Sequence, residues 1–138
     1  MNDLNMRKMQ KADLGVVVGL LADDELGQSR EDTAKVVHAD YLRAFEQIDS
    51  DENQYAAIFE INGKAIGCLQ ITFIPGLSRR GCLRGQIEGV RISRDFRGKG
   101  YGTKMIAWAI TECRDRGCSL VQLTSDKKRD IAIQFYEK

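Results

Sequence analysis

Val90-Arg91-Ile92-Ser93-Arg94-Asp95-Phe96-Arg97-Gly98-Lys99-Gly100-Tyr101-Gly102-Thr103 joins a β-rich run to a helical one, and it is the most informative stretch of the chain. Upstream, Leu83 to Ile92 reads as a strand; downstream, Met105, Ile106, Ala109, Ile110 and Cys113 recur at helical spacing until Arg116-Gly117. Glycines at 98, 100 and 102 let the backbone turn tightly and let a ligand approach without Cβ obstruction. The free N–H groups of the helix's first turn then point at whatever sits there, which makes an anion cradle. Arg97 and Lys99 add positive charge, and Thr103 adds a hydroxyl.

Two familiar phosphate motifs are excluded. A Walker loop needs Gly-Lys followed by Ser or Thr, but Lys99 is followed by Gly100; a dinucleotide fingerprint needs Gly-x-Gly-x-x-Gly, but the spacing here is Gly-x-Gly-x-Gly. A phosphate-loop kinase is therefore disfavoured. The bland alternative is a tight strand-to-helix connection, against which the two basic residues weigh.

Working outward, the segment Met6 to Met9 reads as a short first strand, and Asp13 is positioned to cap a helix carrying Leu14, Val17, Val18 and Leu21. Asp32 or Thr33 would cap a second helix with the stripe Val36, Val37, Tyr41, Ala44, Phe45 and Ile48. Tyr55 to Ile61 and Lys64 to Ile74 flank Asn62-Gly63, a strong hairpin signal because both residues tolerate positive φ. Pro75-Gly76 ends that hairpin. Ser119 to Thr124 is a further strand, and Lys128 to Tyr136 reads as a last helix. The order β-α-α-β-β-β-α-β-α predicts an α/β domain with a mixed sheet.

At 138 residues, with 43% hydrophobic and 30% charged side chains and one proline, the chain has the profile of a single globular domain, residues 1–138. A net charge of +1 provides no field to recruit nucleic acid or an anionic membrane. Arg79, Arg80 and Arg84, with no interleaved aromatic residue, read as a solvated hairpin tip. Cys68, Cys82, Cys113 and Cys118 lack a Cys-x-x-Cys pair, and His38 is the only histidine, so no metal site is expected and His38 receives no role. The apolar run Leu14 to Leu21 is too short to span a bilayer, and the reading is of a cytoplasmic protein with reduced thiols.

The pattern Arg-x-x-Gly-x-Gly after a strand, carried by Arg97, Gly100 and Gly102, resembles the coenzyme A-binding motif of the GNAT N-acetyltransferases. Glu88 to Thr103 looks like that family's fourth strand and pyrophosphate loop, Lys104 to Arg116 its third helix, Leu120 to Thr124 its fifth strand, and Ala132 to Lys138 its last helix. The resemblance implies a GNAT-like mixed central sheet flanked by helices, with acetyl-coenzyme A as co-substrate and no metal. The diphosphate would lie on Arg97, Gly98, Lys99, Gly100, Tyr101, Gly102 and Thr103. The pantetheine arm would pair with Val90, Arg91 and Ile92 in a gap between the splayed fourth and fifth strands, where a backbone N–H could stabilise an oxyanion.

By the same resemblance a primary amine of a small molecule or peptide attacks the thioester directly, through a tetrahedral intermediate. Glu88 would be the base and Tyr136 the acid, a phenol with an ordinary pKa of about 10 staying protonated at neutral pH. Structural readings stand beside both. Strict alternation puts Glu88 on the face of Val90 and Ile92 unless Gly89 forms a bulge, and a salt bridge to a neighbouring arginine is as good an account of it as catalysis. Tyr136 shares a helical stripe with Ala132 and Phe135. Asp23, Asp24 and Glu25 lie where the family's acceptor site often forms and could attract a cationic amine, or be a solvated loop.

Members of this family usually continue past the tyrosine into two more strands, whereas this sequence stops at Lys138. The expectation is then an open edge on strand 120–124, filled by a longer chain or by a partner subunit in a homo-oligomer. A non-catalytic acyl-coenzyme A-binding or regulatory module is the alternative function.

Overall fold

The computed structural model describes residues 3–23 and 37–123, together with the backbone of 131–134. Six strands form one mixed sheet in the order β1 (Leu4–Lys8), β2 (Gln54–Ile61), β3 (Lys64–Pro75), β4 (Leu83–Ile92), β5 (Leu120–Leu123) and β6 (Ile131–Gln134). Only β4 and β5 run parallel, joined by the crossover helix α3 (Tyr101–Asp115). The β2–β3 hairpin turns on Asn62 (φ 53°) and Gly63 (φ 78°), as the Asn-Gly pair predicts.

The sheet separates two cores. Ala57, Phe59, Leu69, Ile71, Phe73, Ile87 and Val121 bury one face beneath Met105, Ala109 and Cys113 of α3. A Cβ on Gly67 would come within 2.9 Å of the Met105 side chain, and one on Gly85 within 2.5 Å of Cys113 Sγ, so two glycines let α3 lie close along the sheet. On the other face Ala56, Ile58 and Cys68 pack against helices α1 (Leu14–Ala22) and α2 (Ala39–Asp49) through Leu14, Val17, Leu20 and Phe45.

Asp13 precedes α1 but does not cap it with its side chain. Its carboxylate accepts from Gln10 N (2.7 Å) and forms a bidentate pair with Arg7 at 2.7 Å, Arg7 also reaching Glu60 at 3.2 Å. The Arg7 guanidinium holds the Asp13 carboxyl below its ordinary range against the opposing pull of burial.

Several expectations change. Helix α2 begins at Ala39, where the extended residue His38 caps it by accepting from Asp40 N through Nδ1 (3.1 Å); the expected caps Asp32 and Thr33, with Val36, lie outside the described residues. His38 thus has a structural role that its isolation in the sequence did not signal. Ala132 to Gln134, read as helix, form part of strand β6, antiparallel to β5 with Leu120 opposite Gln134 and Leu123 opposite Ile131. Ile131-Ala132-Ile133 is too short for periodicity to separate helix from strand, and the exposed ladder of β5 supplies the partner that settles it. The open edge on β5, and with it the edge-based argument for an oligomer, is therefore corrected. Among the described residues no helix is long and apolar enough to cross a membrane.

Candidate functional site

Among the described residues the parallel pairing of β4 with β5 runs from Arg84 opposite Leu120 to Ile87 opposite Leu123, and β4 continues beyond it to Ile92 alongside β3.

The register of β4 against β3 shifts within this segment. Gln70 faces Glu88 and Cys68 faces Arg91, so two residues on β4, Gly89 and Val90, oppose one on β3. Gly89 takes φ +64° and its carbonyl accepts a hydrogen bond from Cys68 Sγ at 3.7 Å. This bulge reverses the phase of the strand. Ile87 points into the α3-side core, and after the bulge Val90 and Ile92 pack against that same core. Glu88 accordingly faces the opposite side, with Gln70 and Gln86, and is half-buried. Among the described residues no arginine forms a salt bridge with it.

A single 3-10 turn, Arg94–Phe96, leads into the glycine loop. Gly98 (φ 75°) and Gly100 (φ 84°) are left-handed, and Gly100 precedes the first residue of α3. From Gly98 to Thr103 no backbone N–H meets a carbonyl among the described residues; the first helical bond is Lys104 N to Gly100 O at 3.3 Å. These donors sit at the positive end of a 15-residue helix. The Phe96 and Tyr101 rings meet at a 60° tilt with centres 6.1 Å apart, and Lys64 and Lys99 each lie 5.8 Å from the Phe96 ring centre, Lys104 5.9 Å from that of Tyr101. Lys64 and Lys104 are cations that the sequence reading missed: one arrives from the distant hairpin, the other sits one residue past the motif.

Arg97 is turned differently from the expectation. Its Nη2 pairs with Asp23 at 3.3 Å and its Nε donates to Ile92 O at 3.2 Å, while Arg94 takes the other Asp23 oxygen at 2.8 Å. Asp23 thus ties the end of α1 to the loop and is neutralised there, which corrects its reading as a lure for a cationic amine. Asp24 and Glu25 lie outside the described residues, as does Tyr136. The Val90 and Ile92 carbonyls accept from Arg91 Nη1 (3.0 Å) and Arg97 Nε, so arginine side chains already serve two carbonyls at the end of β4. Among the described residues no group of three or more His, Cys, Asp or Glu could hold a metal ion.

Known proteins share this architecture. The chain is 30% identical over 109 residues to a glucosamine 6-phosphate N-acetyltransferase of Arabidopsis thaliana, covering 77% of this chain and 71% of that protein. It is 31% identical over 83 residues to an uncharacterized N-acetyltransferase of Methanocaldococcus jannaschii, covering 59% of this chain but only 36% of the relative, so it spans about a third of that protein. A crystal structure described as a transcriptional regulator from Bacillus halodurans superposes with a TM-score of 0.87 at 40% identity, over 92% of this chain and 85% of that one. Residues 21–138 match the family model of the acetyltransferase (GNAT) family, and the chain belongs to that family.

Proposed function

We propose that the protein transfers an acetyl group from acetyl-coenzyme A to a primary amine. The observation that carries this reading is the row of backbone N–H groups from Gly98 to Thr103 that meet no carbonyl among the described residues, at a helix N-terminus a few residues beyond the end of β4. A diphosphate suits those donors and the cations Lys99, Lys64 and Lys104 around them. Arg97 serves chiefly as a positioning residue, holding the loop to Asp23 and to Ile92 O. Tyr101 supports the loop through Phe96, and Thr103 offers its exposed hydroxyl in the first helical turn.

Acetyl-coenzyme A supplies the activated acetyl group as a thioester. On our reading its pantetheine arm lies along Val90, Arg91 and Ile92 in a gap beside β5. The amine enters from the opposite face of β4, where the bulge places Glu88. Glu88, directly or through water, takes the proton that the amine must lose; the nitrogen adds to the carbonyl carbon to give a tetrahedral intermediate, its collapse breaks the C–S bond, and Tyr136 gives a proton to the departing sulfur. A backbone N–H at the end of β4 meets the charge that gathers on the carbonyl oxygen.

A second reading, a regulatory acyl-coenzyme A-binding module, is favoured by the description of the Bacillus halodurans neighbour as a transcriptional regulator. Turnover separates the two. Acetyl-coenzyme A is offered with a panel of primary amines and free coenzyme A thiol is measured. Amine-dependent thiol release supports the enzyme, whereas tight cofactor binding without release for any amine supports the module.

A further inference from the structure

The face of the sheet that carries Glu88 changes character along its width. Towards β1 it is apolar and covered by α1 and α2 through Ala56, Ile58 and Cys68. Further along, the register sets Gln54, Thr72, Gln86 and Gln122 in one continuous row across β2, β3, β4 and β5. Gln70 and Glu88 form the next cross-strand pair on one side of that row, and Ile74 and Arg84 the next on the other. All the polar members are half-buried. Gln54 Oε1 accepts from both Gln70 Nε2 (2.9 Å) and Thr72 Oγ1 (3.0 Å), which orients part of the row. A sheet face meant only to pack on helices is apolar, so a polar floor beside Glu88 suits a polar ligand.

At the end of this floor remote from Glu88 lies a cavity of about 310 Å³, lined among others by Ser78, Arg79, Arg84 and Gln122 and by no described acidic residue. Arg84 does not sit at a solvated tip, as its sequence neighbours suggest. It lies within β4, and its Nε is sealed from solvent with no hydrogen-bond acceptor among the described residues. A buried donor of this kind costs free energy unless a ligand satisfies it. Arg79 and Arg80, in the exposed turn Ser78–Gly81, both have left-handed backbone (φ 55° and 61°), and of the two Arg79 lines this cavity.

We propose that Arg84 and Arg79 form an anion subsite of the acceptor pocket, and that the acceptor is a primary amine that also carries a phosphoryl or phosphonyl group. This deepens the acetyl-transfer reading and rests on it for the position of the amine. The amine lies at Glu88 and the tetrahedral oxyanion at Arg84, whose guanidinium fork matches it bidentately. Four residues of extended strand separate the two positions, about 13 Å between Cα atoms. Two long side chains shorten that span, so the acceptor has a spacer between amine and anion. Its hydroxyl groups, if present, meet Gln70 and Gln86.

The test compares glucosamine with glucosamine 6-phosphate and ethanolamine with 2-aminoethylphosphonate, with wild type, Arg84→Gln and Arg84→Lys. Thiol release gives the kcat/KM ratio of each pair, and calorimetry measures binding of glucosamine 6-phosphate to the coenzyme A complex. The wild type should prefer the anionic member of at least one pair by ten- to a hundredfold. Arg84→Gln should bring that ratio close to one, and Arg84→Lys should retain part of it. A wild-type ratio near one overturns the inference while leaving acetyl transfer intact, as does an Arg84→Gln variant that keeps the preference. Arg84-dependent binding of glucosamine 6-phosphate with no amine acetylated would sustain the subsite and sink the acetyl-transfer reading. If the anionic amines are neither turned over nor bound, the subsite is overturned.

Discussion

Alanine in place of Gly89 isolates the conformational cost of the bulge from everything else. A Cβ at this position meets nothing within 4 Å, so sterics with neighbours contribute nothing, and the loss comes from φ +64° alone. That conformation costs an L-residue about 1–2 kcal/mol, of which roughly 0.4–1 kcal/mol is offset by the lower entropy of the unfolded chain. Gly89→Ala should therefore lose about 0.5–1.5 kcal/mol and roughly 2–5 °C in Tm, with the fold retained. Deleting Gly89 is a different perturbation, because it removes the phase change itself. Either Val90 and Ile92 leave the α3-side core, forfeiting up to about 1.5–3 kcal/mol each, or Glu88 turns into it. A buried unpaired carboxylate costs at least as much. The deletion should cost roughly 3–5 kcal/mol and abolish amine turnover, whereas Gly89→Ala keeps it. Urea and thermal melts with the thiol-release assay measure both. A deletion variant as stable and active as the wild type would refute the claim that the bulge sets which way Glu88 faces.

Asp13→Asn should lose about 2–3 kcal/mol at neutral pH by breaking the half-buried pair with Arg7. Because the folded Asp13 carboxyl is depressed, its contribution is complete above the unfolded value of about 3.9 and is lost as pH falls through the folded one. The Tm gap between variant and wild type should narrow below about pH 4; a gap that is constant with pH would show that the ion pair is not its source. Burial pushes the Cys68 and Cys113 thiols up to about 12 and raises Cys118, leaving half-exposed Cys82. A disulfide reagent should find one fast thiol in the native chain and four after denaturation, and two or more fast thiols would contradict the packing around α3. Tyr136→Phe should lower kcat with acetyl-coenzyme A affinity nearly intact; parallel losses of stability and activity would assign Tyr136 to packing instead.

Much of this architecture was legible because local chemistry and tertiary structure agree. Asn62-Gly63 can adopt the hairpin turn that flanking β-rich runs require, and the stripe Met105, Ala109, Cys113 is what α3 buries. The glycine loop was legible for the same reason: Gly98 and Gly100 occupy backbone conformations that other residues resist. What was hidden depends on contacts between distant segments. Asp23 gives no sign in the sequence that Arg94 and Arg97, more than seventy positions on, will claim it. Lys64 meets Phe96 only because the β2–β3 hairpin and the loop converge. Strand β6 was misread because a short apolar run takes its conformation from the neighbour it finds, here β5. Glu88 was the intermediate case: Gly89 announced a bulge, but only the β3 register showed which way the carboxylate turned.

Calorimetric titration of acetyl-coenzyme A into the wild type, Gly100→Ala and Gly100→Glu tests the central claim, that the Gly98–Thr103 donors hold a diphosphate. Both substitutions carry the same φ +84° strain and neither Cβ meets an obstacle within 4 Å, so the alanine variant controls for backbone cost. The account predicts saturable binding to the wild type and measurable, weaker binding to Gly100→Ala. Folded Gly100→Glu should show none, since its carboxylate would stand where the diphosphate lies. Equal affinity for the glutamate and alanine variants would contradict it.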